Sequence, residues 1–223
     1  MPRNSSPSRS FDPQATAEIA VGAARLIADE GMDYANAKRR AARDVLGEGA
    51  NTRGVLPDND QVEEELRRHL RLFGGAEHRA LLTALRRHAL TLMQRMRQFE
   101  PRLVGAILNG TATAFSDVQL HLYSDDVKDI EIQLLNDGVD FDVDEGNQDP
   151  GGPVERIHFL TEVPLEHGQR HRTGVVLGLH PSVAIRVAPR HRSIDASLHP
   201  VEASGRASIE QLEALLASAG VGP

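Results

Sequence analysis

The chain has 223 residues, 40% hydrophobic and 26% charged, which is enough for one large domain or two small ones with an ordinary packed core. It contains no cysteine, so disulfides and thiolate metal sites are excluded and a cytoplasmic location is the expectation. A net charge of −7, with 4% aromatic residues and no tryptophan, argues against a general nucleic-acid-binding surface or a base-stacking platform. No apolar run approaches the roughly 18 residues of a membrane helix, so no membrane partner is expected.

Residues 1–11 are polar, lack the apolar core of an export signal, and read as a disordered tail. A helical region is expected over 12–100. Asp12 before Pro13 is an N-cap with proline at the first helical position, and Ile19, Ala23, Leu26 and Ile27 then line one face up to Gly31. Asp33 caps a second helix that stops at Gly47. It carries Lys38, Arg39, Arg40 and Arg43, read as a solvated, salt-bridged face; the alternative is a phosphate-rich partner such as RNA. Asp58 or Asn59 caps a third helix with Val62, Leu66, Leu70 and Phe73 on one side. The fourth, about 77–99, has a stripe of Leu81, Leu85, His88, Leu92, Met96 and Phe99, with Arg86, Arg87, Arg95 and Arg97 placed on the surface.

Pro101 ends the helical pattern. An α/β domain is expected over 101–205, followed by a C-terminal helix within 206–223 opened by the capping box Ser208 to Gln211. Residues 103–108 (LVGAIL) form an unbroken apolar run of strand length, and residues 118–123 alternate as a second strand. A short helix opened by Ser124-Asp125-Asp126 runs to Asn136, and 139–143 reads as a third strand. Residues 144–153 are a loop, residues 157–163 and 174–179 are two further strands, and VAIRVA from 183 is a sixth. His167 and His171 fall in the polar turn between the fourth and fifth strands and read as solvated.

Within this pattern, Gly110-Thr111 follows one apolar run and Ser116-Asp117 opens the next strand. A glycine there lets a phosphate approach the backbone, and a nearby carboxylate can hold a divalent cation on it. Asp140 and Asp142, two apart in an alternating run, offer further carboxylates, and His121 shares a face with Asp117 and Gln119. No glycine-rich Lys-Ser/Thr loop occurs, so P-loop chemistry is not expected.

Residues 103–143 resemble the core of the nucleotidyltransferase superfamily. That family has a Gly-Ser turn after its first strand, an acidic pair two residues apart on the second, and a third Asp on a later strand. The resemblance implies an α+β fold, with an N-terminal helical region followed by a mixed sheet, flanking helices and a C-terminal helix. It assigns Gly110, Thr111, Ser116 and Gln119 to nucleotide binding and Asp117, Asp140 and Asp142 to catalysis. Asp117 and Asp140 would hold magnesium. Two departures stand out: Gln119 occupies the second acidic position, and the loop before Asp117 is short and lacks arginine. The implied function is a nucleotide-binding nucleotidyltransferase acting on a hydroxyl acceptor. The alternative is a catalytically inactive relative that binds a nucleotide or a partner.

Overall fold

The computed structural model describes residues 12–146, 152–188 and 198–219, so the tail expected over 1–11 lies outside the described residues. The fold is α+β and divides into two compact units, residues 1–74 and 75–223. The helical region expected over 12–100 is therefore split at Gly74, and its fourth helix belongs with the sheet.

The first unit holds α1 (Pro13–Glu30), α2 (Tyr34–Leu46) and α3 (Asn59–Phe73). Asp12 Oδ1 accepts the free amides of Gln14 and Ala15, and Gly31 closes α1 in the left-handed conformation. At the start of α3, Asp58 and Gln61 exchange side-chain and backbone bonds in a capping box. Small side chains let α1 and α2 pack closely: a Cβ on Gly22 would sit 3.1 Å from that of Ala41. Val62, Leu66 and Leu70 join this core, but Phe73 is 74% exposed, its ring against His69 instead. Of the basic cluster, Lys38 donates to Asn59, Arg39 to Asn36, and Arg40 pairs with Glu30, as a solvated face should.

The second unit begins with α4 (Gly75–Arg95), then β1 (Arg102–Val104) and α5 (Gly105–Asn109). The strand expected over 103–108 is thus cut to three residues, and its second half is helical. The chain turns at Gly105 (φ 72°), and Gly110 (φ 83°) ends the helix, both in a conformation that side-chain-bearing residues resist. After this come β2 (Val118–Tyr123), α6 (Lys128–Asn136), β3 (Asp142–Glu145), β4 (Glu155–Pro164), β5 (Arg170–His180), α7 (Pro200–Ala203) and α8 (Ile209–Ala219). β3 starts three residues later than expected. The sixth strand expected from 183 is a 3₁₀ turn, Ser182–Arg186, because Pro181 follows directly on β5.

The sheet order is β1-β2-β5-β4-β3; β2 and β5 are parallel and every other pair is antiparallel. The inner face contributes Leu103, Leu120, Leu122, Leu177, Leu179 and Ile157 to the core, where Leu85, Leu92 and Met93 of α4 and Leu212 of α8 meet them. His88 joins this layer by hydrogen-bonding Thr161. Arg86, expected on the surface, is buried. Its Nε and Nη2 donate to the carbonyls of Ile107 and Leu108, and it pairs with Glu202 at 2.6 Å. A cation at the carboxyl end of α5 satisfies carbonyls the helix leaves unpaired.

Candidate functional site

The outer face of the sheet carries the polar residues. Strand alternation and register place Asp117, Gln119, His121 and Tyr123 of β2 there. Beside them on β5 lie Gly174, Val176, Gly178 and His180, and on β4 Leu160, His158 and Arg156. Asp117 and Gln119 are exposed, and Leu160 is 61% exposed.

The residues expected to bind a nucleotide fall into two groups. Gly110, Thr111 and Ser116 make structural turns. Gly110 caps α5 beside Arg86 and Glu202. Thr111 is 1% exposed, and its hydroxyl and amide both donate to Asn109 Oδ1, so it offers a phosphate nothing. Ser116 Oγ accepts the Thr113 amide, and its carbonyl accepts the Thr173 hydroxyl. The glycine that directly follows the first strand is Gly105, not Gly110. The Gln119 side chain lies over it, with Oε1 2.9 Å from where a Cβ would be.

The carboxylates do not come together. Asp117 lies against Gly174, where a Cβ would collide with its Oδ1. Asp142 lies on β3 and Asp140 just before it, with β5 and β4 intervening. Three strand spacings, about 14 Å, separate these acids from Asp117, too far to share one cation. Asp140 and Asp142 instead line a separate depression of about 480 Å³ at the edge of β4, with Arg95, Phe141, Arg172 and the apolar Met96. Among the described residues, no three His, Asp or Glu side chains gather as a metal site.

A different cluster is assembled at the other end of the outer face. The His121 and His180 ring centroids are 4.4 Å apart, and Tyr123 stacks on the far side of His180 at 5.4 Å. Arg206 reaches them because Ala207 bridges to Leu103 at the sheet edge. Its guanidinium donates to the Ile185 carbonyl at 2.7 Å and to the Tyr123 hydroxyl at 3.5 Å. Burial, then His180, Arg206 and Arg156, hold the His121 pKa down to about 4, and burial lowers that of His180. Both rings are therefore neutral at pH 7 and each presents one N–H donor. Of this cluster only His121 stood out in the sequence. For His180 the signal was the spacing in GVVLGLH, which sets Gly174, Gly178 and His180 along one face of a strand.

Compared with family models, curated proteins and solved structures, the chain matches none. No helix among the described residues is long and apolar enough to cross a membrane.

Proposed function

We propose that the chain is a nucleotidyltransferase-like protein that binds a nucleotide or a partner without transferring a nucleotidyl group. The observation that carries this reading is what faces Asp117. Its neighbours on the outer face are Gln119 on its own strand and Gly174 and Val176 on the adjacent parallel strand, so among the described residues no second acid stands beside it there. Nucleotidyl transfer with magnesium needs two or three carboxylates to gather the cations and neutralise the developing charge. Support for the nucleotidyltransferase likeness comes from the order β1, glycine turn, short helix, β2, with the Gln119 side chain folded over the Gly105 turn.

The test is a pyrophosphate-release assay with each nucleoside triphosphate and a panel of hydroxyl acceptors, with and without magnesium. The wild-type chain is expected to release none. Magnesium-dependent release that Asp117→Ala abolishes would restore the enzymatic reading and contradict this one.

A further inference from the structure

Arg156, Gly178 and His121 stand in one row across β4, β5 and β2. Gly178 has no side chain, and the space over it is taken by the His121 ring and by Pro153: a Cβ there would meet His121 Cδ2 at 3.2 Å and Pro153 Cβ at 3.4 Å. One step along β5, His180 is 4% exposed, and its Nε2 is buried with no hydrogen-bond partner among the described residues. A buried nitrogen without a partner is costly, so such atoms mark places where a partner is missing. Around these rings stand two guanidinium groups, Arg156 and Arg206. Among the described residues neither is paired with a carboxylate. Asp144, the cross-strand neighbour of Arg156, pairs with His158 at 3.2 Å instead.

We infer that His121, His180, Arg156 and Arg206 form a binding site for a phosphoryl oxyanion on the outer face of the sheet, around the His121 and His180 rings. The four groups come from β2, β4, β5 and the segment before α8, and both guanidiniums lie close enough to His121 to lower its pKa; donors from several directions suit a tetrahedral anion better than a flat carboxylate. Two permanent cations supply the charge a dianion needs, and the two neutral rings supply N–H donors. The anion could arrive as free pyrophosphate or as the phosphates of a nucleotide. The second source rests on the function proposed above; the site itself does not.

The experiment follows the histidine ring resonances of the full-length chain by NMR during titration with pyrophosphate, ATP and adenosine. Pyrophosphate is expected to move the rings of His121 and His180 while leaving His167, in its exposed turn, unmoved. Arg156→Gln is expected to weaken pyrophosphate roughly tenfold or more. Stationary His121 and His180 rings in the wild type would overturn the inference whether or not the variant folds, and so would a folded Arg156→Gln chain with unchanged affinity. Movement with pyrophosphate but not with ATP supports the site and defeats the nucleotide reading. ATP binding that leaves both rings unmoved does the reverse.

Discussion

His121 shows how much a single position depends on its neighbours. In the unfolded chain its ring has the ordinary imidazole pKa of about 6.5, whereas burial and the neighbouring His180 and arginines bring it down to about 4 in the fold. Between those values the unfolded state takes up a proton that the native state refuses, so stability rises with pH across that window. Stability attributable to this ring is therefore intact above pH 6.5 and is lost progressively as pH falls toward 4, by up to roughly 3 kcal/mol. His78, His88 and His180 are lowered mainly by burial and act in the same direction. Urea unfolding at pH 7.5 and at pH 5 is expected to give a lower midpoint at pH 5, and His121→Gln is expected to shrink the difference. An unchanged difference in that variant would assign the pH effect to the other three rings. The alternation of VQLHLY shows that His121 shares a face with Gln119. The residues that lower its pKa are 35 to 85 positions away along the chain and only the sheet brings them near.

At the scale of elements, the helices were legible because their signals are local. Asp12, Asp58 and Gly31 act where the sequence places them, and the stripe of α4 lies in the core. The segment LVGAIL was not legible. Six apolar residues in a row are compatible with a buried strand or a short buried helix, and a five-residue helix has too little length to show its period. What decides it is tertiary: Arg86, on α4, reaches the carbonyls of Ile107 and Leu108, while Glu202, on α7, holds the guanidinium in place. With the strand cut short, the glycine that follows β1 is Gly105, and Gly110 ends the helix after it. Arg86→Ala is expected to destabilise the chain by about 3 kcal/mol or more, since it leaves Glu202 and two helix-end carbonyls without their buried cation. Chemical denaturation measures this directly, and a loss below about 1 kcal/mol would mean the pair does not hold α5. The acids of VDFDV lie apart from Asp117 for a related reason: the β4–β5 pair intervenes and puts β3 at the far edge, which only the tertiary fold decides.

At the scale of the whole molecule, the chain carries two separate apolar clusters, one of α1 to α3 and one built on the sheet and α4. Each buries its own large side chains, so a fragment of residues 75–223 is expected to fold alone and melt cooperatively, as circular dichroism can show. A broad, non-cooperative transition would mean the sheet unit depends on the helices. One face of the sheet packs on α4 and α8, and the other carries the polar residues. That second face carries Asp117 at the position the proposed nucleotidyltransferase likeness marks, and two arginines with two neutral histidines beyond it. The role proposed for this face is to hold phosphate, not to transfer it. The most direct measurement of that claim is calorimetric titration of the full chain with ATP, in magnesium and in chelator. The account predicts saturable binding that is insensitive to magnesium and weakened by Arg156→Gln but not by Asp117→Ala. Binding that appears only with magnesium and vanishes in Asp117→Ala would contradict it.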